Sequence, residues 1–314
     1  MSKDQKPARD VATEITNLIV EKLEQGLPPW QRPWRSDGSG GRPLRHCGVP
    51  YTGINALYLW AIADARGYRS RYWMTYRQAN ELGAQVRRGE SGSISVYYST
   101  FKRTARDSLT GDQSEKIGRF LRWYVVFNAD QIDGLPPHFY PQSAPVTPVL
   151  PSARQDAIDG FFAALPGEVR HGGNQAYFNP TFDYIQMPLK SSFKSMDLYC
   201  STLGHEYAHW TGSASRLGRV FGKRFGDQAY AAEEVVASIA QSLVCAHLDL
   251  PDELHVNHAS YIKHWLSILK SDKTAIIHFA SKAEQAFNYL RSFSDDGGAA
   301  PADAAVEGRV LEAA

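Results

Sequence analysis

The chain has 314 residues, 43% of them hydrophobic, with 34 Lys+Arg against 33 Asp+Glu for a net charge of +1. That length leaves room for two ordinary domains with cores of their own, and the apolar content excludes wholesale disorder. No apolar run approaches ~18 residues, and the N-terminal MSKDQKPARD has no apolar segment behind it, so neither a membrane span nor a secretory leader is expected.

The three cysteines, Cys47, Cys200 and Cys245, show no ligand spacing and fit a reducing, cytoplasmic setting. The small net charge hides an asymmetry. Residues 1–135 carry 20 Lys+Arg and 14 Asp+Glu, whereas residues 136–314 carry 14 and 19. Opposite signs in the two halves point to different partners.

Val11, Ile15, Leu18, Ile19, Val20 and Leu23 recur at helical spacing, so residues 10–26 are expected to form a helix that Gly26 stops. The prolines of LPPWQRPW, residues 27–34, forbid helix and favour an extended segment, and SDGSGGRP, residues 36–43, reads as a flexible loop. Helices are expected over 53–66 and over 75–83, closed by Gly83. SISVYYSTFK (93–102) and FLRWYVVFN (120–128) are rich in β-branched and aromatic residues and read as strands. The charged segment 103–118 between them reads as a mobile connection.

Residues 136–152 hold six prolines and read as a linker. Beyond it, helices are expected at 153–165, 196–213, 229–247, 256–270 and 274–291, with a short-strand region at 174–188. The tail from residue 294 lacks a periodic apolar face and reads as disordered. The expected organisation is α+β: residues 1–135 as one domain, the linker, and residues 153–293 as a second.

The second domain carries His205-Glu-Tyr-Ala-His209. On a helix, residues four apart project from one face, so His205 and His209 can share one zinc ion while Glu206 handles the proton of a water. A catalytic zinc normally takes three protein ligands and keeps one position open. Glu234 is the preferred third ligand, because it shares a helical face with the small and polar Ala237, Ser238 and Gln241. Glu233 is the alternative, or a partner that supports a ligand from behind. Other divalent ions fit the same donors. An active site would also need a group that stabilises developing negative charge, and Tyr230, Arg216 and Arg219 are the candidates. The strands around Tyr177 and Tyr184 suit a sheet edge to which an extended substrate could add as a strand.

The first half mixes cations with rings. Residues 66–106 contain nine Lys+Arg and two acids, interleaved with Tyr68, Tyr72, Trp73, Tyr76, Tyr97, Tyr98 and Phe101. Trp30, Arg32, Trp34 and Arg35 lie upstream. Rings that stack on bases and cations that follow phosphates are what a single-strand binder needs. Trp and Tyr are also routine core residues.

Several strings resemble the ArdC family of plasmid and phage antirestriction proteins. In the first half these are Gly26-Leu-Pro-Pro-Trp-Gln-Arg-Pro-Trp34, Tyr51-Thr-Gly-Ile-Asn-Ala-Leu-Tyr-Leu-Trp60, Trp73-Met-Thr-Tyr-Arg-Gln-Ala79, Val86-Arg-Arg-Gly-Glu90 and Val126-Phe-Asn-Ala-Asp-Gln131. In the second they are Asp183-Tyr-Ile-Gln-Met-Pro188, His205 to Gly212 and Tyr230-Ala-Ala-Glu-Glu234. The resemblance runs in order from about residue 10 to 291. It implies an N-terminal domain that binds single-stranded DNA and a C-terminal zincin-like metallopeptidase domain, together protecting incoming DNA from host restriction. The candidate nucleic-acid contacts are Trp30, Arg32, Trp34, Arg35, Asn55, Trp73, Tyr76, Arg77, Arg87 and Arg88. The candidate partners are single-stranded DNA and a host protein substrate, with no membrane. Two other readings are a protease recruited to DNA and a binding module whose metal is purely structural. The family pattern also implies an acid four residues after the ligand Glu, to orient a histidine. This chain has Ser238 there, which can still accept a hydrogen bond.

Overall fold

The computed structural model describes residues 9–26, 28–30, 41–106, 113–140, 151–221, 224, 228–251 and 258–294, with the backbone alone for 98–120, 151 and 258–260. Helix α1 (Val11–Glu24) starts where the Asp10 carboxylate accepts from Thr13 N at 3.2 Å, and it buries Val11, Ile15, Ile19 and Leu23 along one stripe. Helix α2 (Gly53–Arg66) is buried from Ile54 through Ala63, so it packs on several sides at once and stops at the left-handed Gly67. Helix α3 (Tyr76–Glu81) begins with a reciprocal Thr75–Gln78 cap. These helices serve a four-stranded sheet in the order β1 (Leu44–Arg45), β2 (Tyr72–Met74), β5 (Gln113–Asn128), β4 (Ser93–Arg106). A two-stranded ladder of β3 (Gln85–Val86) with β6 (Ile132–Asp133) sits beside it.

The β4–β5 pairing runs unbroken from Ser93↔Val126 to Arg106↔Gln113. Residues 103–106 and 113–118, expected as a mobile connection, are therefore paired strand; 107–112 lie outside the described residues. Their polarity hid them, since alternation of apolar residues is the strand signal and backbone pairing does not need it. The Pro-rich stretch is also partly ordered. Phe139 is buried, meets Tyr72 edge-on at 4.9 Å, and takes a 2.6 Å hydrogen bond from Ser70 Oγ at its carbonyl. Residues 141–150 of the expected linker lie outside the described residues.

In the C-terminal half, helix α4 (Pro151–Ala163) leads to a three-stranded sheet in the order β7 (Glu168–His171), β9 (Tyr184–Met187), β8 (Tyr177–Asn179). The parallel strand β7 was not expected, since Glu-Val-Arg-His carries little strand pattern. Helix α5 (Met196–Trp210), capped by Ser195 Oγ, packs on this sheet and on α6 (Ala229–Leu248). Helices α7 (His258–Ser271) and α8 (Ala275–Arg291) complete the layer.

The two halves share their main core, beside a smaller cluster of Met74, Ala79, Ala84, Val86, Ala129, Ile132, Leu135 and Phe139 within the first half. One contiguous apolar cluster runs from Val11 to Leu290, with α1 against α7 and α2 against α8. Trp30 lies 5.9 Å from Trp265, ring to ring, and its Nε1 donates to Ser238 Oγ of α6 at 3.0 Å. Arg42 reaches Glu284 of α8 at 2.7 Å, and that carboxylate also accepts from Gly53 N, so a buried ion pair pins α2 to α8. Stacking the helices of both halves buries more apolar surface than either half could bury alone. No helix among the described residues is long and apolar enough to cross a membrane.

Candidate metal centre

Helices α5 and α6 meet over the middle of the C-terminal half, and their contact brings three side chains together. His205 Nε2 and His209 Nε2 are 3.2 Å apart; Glu234 Oε2 lies 3.6 Å from the first and Glu234 Oε1 3.5 Å from the second. Two ligands about 2.0–2.2 Å from an ion at a tetrahedral angle are themselves about 3.3–3.6 Å apart, so the spacing fits one small cation.

The hydrogen bonds behind the ligand atoms fix which nitrogen faces inward. His205 Nδ1 meets Gln241 Oε1 at 3.0 Å, and Gln241 Nε2 donates onward to Ser201 Oγ at 2.8 Å. His209 Nδ1 meets Glu233 Oε1 at 3.4 Å. With both Nδ1 atoms facing oxygen acceptors, each ring turns the lone pair of Nε2 towards the Glu234 carboxylate. Electron-rich atoms packed this closely call for a proton or a metal cation among them. The charge on His209 reports the same demand. Burial opposes its protonation, yet the hydrogen bond to Glu233 and the fields of Glu234, Glu206 and Glu233 push its pKa up to about 9. Burial likewise opposes ionisation of Glu234, but His205, His209 and Tyr230 pull its carboxyl down to about 2. The donor set fits a divalent cation.

The structure brings Glu234, not Glu233, to the two Nε2 atoms. Glu233 stands behind His209, where Arg219 grips it through Nε at 3.1 Å and Nη2 at 2.5 Å. Arg219 also donates to Thr211 Oγ1 and the Ala208 carbonyl, and Arg216 to the Trp210 carbonyl and Asp183. Both guanidiniums, considered as stabilisers of developing charge, are thus spent on holding the loop after α5. Tyr230 remains: it is 64% exposed in the cleft and its hydroxyl lies 3.3 Å from that of Tyr261. Burial of that hydroxyl and its neighbours Tyr261 and Glu234 raise its pKa well above the ordinary value.

Ser238 Oγ accepts from Trp30 Nε1, and Gln241 takes an orienting role at His205. Gln241 and Tyr261 were missed as site residues. Gln241 was legible in part, one helical turn beyond Ser238 on the face of Glu234, whereas Tyr261 arrives from α7 with no local signal. The cleft over the centre has a volume of about 1030 Å³ and is lined by Glu206, Tyr230, Tyr261, Val220 and the β8 residues Tyr177 and Phe178.

The candidate nucleic-acid residues divide. Trp30 and Trp73 are 1% exposed, and Asn55 brackets the backbone of Val96 with two 2.7 Å hydrogen bonds at the edge of β4. These three build the fold and offer no ring or amide to a base; nothing in a single sequence separates a stacking Trp from a core Trp. Tyr76 and Arg88 are exposed, Arg77 pairs with Glu81, and Arg87 pairs with Glu90 and Asp133. Arg32, Trp34 and Arg35 lie outside the described residues.

Comparison with known proteins places this architecture. Residues 156–282 match a family of zincin-like metallopeptidases, and residues 9–127 match the N-terminal domain of the anti-restriction factor ArdC. The metal-free crystal structure of the antirestriction protein ArdC from plasmid R388 superposes with a TM-score of 0.76 at 41% identity, over 91% of this chain and 98% of that one. The chain belongs to the ArdC antirestriction family. The Mn(II)-bound R388 ArdC structure gives a TM-score of 0.74 at 39% identity, over 92% of this chain and 99% of that one. The uncharacterized protein y4eC of Sinorhizobium fredii is 39% identical over 94% of this chain and 97% of its own length. DNA primase TraC of Escherichia coli is 34% identical over 93% of this chain, which spans only 28% of TraC.

Proposed function

We propose that this ArdC-family protein binds single-stranded DNA through residues 1–135, protects incoming plasmid or phage DNA from host restriction in the cytoplasm, and carries a zinc-dependent peptidase centre in residues 153–293 that acts on a host protein. The observation that carries the peptidase reading is the convergence of His205, His209 and Glu234 in a cleft that also holds Glu206. Zinc held by those three residues would supply Lewis acidity towards a peptide carbonyl and a water. Glu206, on the same helical turn, takes the proton of that water and returns it to the departing amine. The Tyr230 hydroxyl donates to the carbonyl oxygen as it gains charge. Gln241 and Glu233, each facing an Nδ1, would hold the two imidazoles in the tautomer whose Nε2 can take a metal. Strand β8, an outer strand of its sheet, offers an extended substrate a ladder beside the centre. The DNA reading is supported by the family, the basic first half, and the exposed Tyr76, Arg77, Arg87 and Arg88; Arg32, Trp34 and Arg35 belong to the same reading.

Glu206→Gln tests the centre. The variant should keep its bound metal and lose cleavage of a denatured, labelled protein substrate. Cleavage by the metal-loaded variant at the unaltered rate refutes the assignment. Restriction protection measured in the same variant separates the two activities, since protection that persists runs through DNA binding alone.

A further inference from the structure

The β4–β5 ribbon is longer than its sheet requires. Strand β2 pairs only with Phe127 and Asn128 of β5, while the β4–β5 ladder continues to Arg106↔Gln113. Among the described residues no further strand joins the outer part, so from Tyr97↔Arg122 outward it forms a two-stranded arm of roughly 30 Å at ~3.3 Å per residue. Directly paired residues of an antiparallel ladder share a face. The register therefore sets Tyr97, Phe101, Arg103, Lys116, Phe120 and Arg122 on one face of the arm, separated only by small residues. That face carries no acid; Glu115, the single acid of the paired arm, falls on the other face with Thr104.

Three features of that face point to one class of partner. The ring-bearing positions fall on successive same-face pairs, Tyr97↔Arg122, Ser99↔Phe120 and Phe101↔Gly118, at steps of about 6.6 Å along the arm. Each Phe is paired in the register with a small residue, Ser99 or Gly118. Cations stand at both ends of the ring series: Arg122 at the root, and Arg103 with Lys116 towards the tip. Arg103 and Lys116 are directly paired in the register, which places two cationic residues side by side on that face. Rings in series with flanking cations match the alternation of bases and phosphates in a single strand, and an acidic protein surface would make no use of the rings.

We propose that this face of the β4–β5 arm is where single-stranded DNA docks, with bases on Tyr97, Phe101 and Phe120 and phosphates on Arg103, Lys116 and Arg122. The inference rests on the DNA-binding reading above and relocates its main contacts, since two of the rings expected from the sequence are core.

Fluorescence anisotropy of the full-length protein with a labelled oligothymidylate, at several salt concentrations, tests it. Phe101→Ala and Phe120→Ala should each weaken binding about 5- to 100-fold and leave the salt dependence unchanged. Arg103→Gln and Lys116→Gln should each reduce the slope of log affinity against log salt by about 0.7. Ile117→Ala, on the opposite face, should bind as the unaltered protein does. If the unaltered protein binds and all four face variants match it in affinity and slope, the arm is not the docking face and the DNA-binding reading survives. Equal losses for duplex and single-stranded DNA in the Phe variants likewise overturn stacking on this face. Absence of salt-sensitive binding by the unaltered protein overturns the DNA-binding reading and this inference together.

Discussion

Gln241→Leu isolates what stands behind one histidine without touching any atom in the cleft. Gln241 is fully buried; it accepts from His205 Nδ1 at 3.0 Å and donates to Ser201 Oγ at 2.8 Å. Leucine fills nearly the same volume but takes away the acceptor, which leaves a buried imidazole N–H to lose about 1–3 kcal/mol. The ring escapes that cost by moving its proton to Nε2, the atom that faces Glu234, and in that tautomer it cannot hold a metal. Outer partners of metal-bound histidines are worth about 10–100-fold in affinity, or about 1.4–2.7 kcal/mol, so two independent routes give the same magnitude. Chelator competition with Mn(II) and Zn(II) measures the loss. Gln241→Glu keeps an acceptor at the same reach and should restore most of the affinity. A Gln241→Leu protein that folds and binds either ion within about twofold of the unaltered chain would show that His205 does not depend on this contact, and would refute the reasoning.

Two further outcomes follow from the same geometry. In the metal-free chain His209 titrates near 9, so a divalent ion must displace its proton, and the apparent affinity should rise about tenfold per pH unit towards pH 9 and then level off. Because that pKa is raised from 6.5, its contribution to stability is full below 6.5 and is lost as pH rises through about 9, whereas that of Glu234, lowered from 4.5, is lost as pH falls through about 2; thermal melts of the metal-free protein from pH 6 to 10 should therefore decline, and a flat profile contradicts the assignment. Arg42→Ala leaves Glu284 buried without its partner and should cost about 3–5 kcal/mol in urea denaturation, in one cooperative transition because the halves share a core; two separate transitions would show that they fold independently.

Much of this protein was legible in residue order. The stripe Val11-Ile15-Ile19-Leu23, the helix over 53–66 and the four-residue spacing of His205 and His209 are local facts, settled by helical periodicity within a few residues. Even the choice of Glu234 over Glu233 for the histidine side could be posed, because one helical face selects it. Tertiary structure decided what each of these residues meets. Gln241 backs His205, because the crossing of α5 and α6 sets which turn of one helix lies opposite the other. Trp30 fills the seam between the halves and Asn55 closes a strand edge, since burial depends on which surfaces stack and not on the residue type. The polar outer ladder of β4 and β5 was invisible for the converse reason: backbone pairing needs a neighbouring strand and leaves no mark in hydrophobicity.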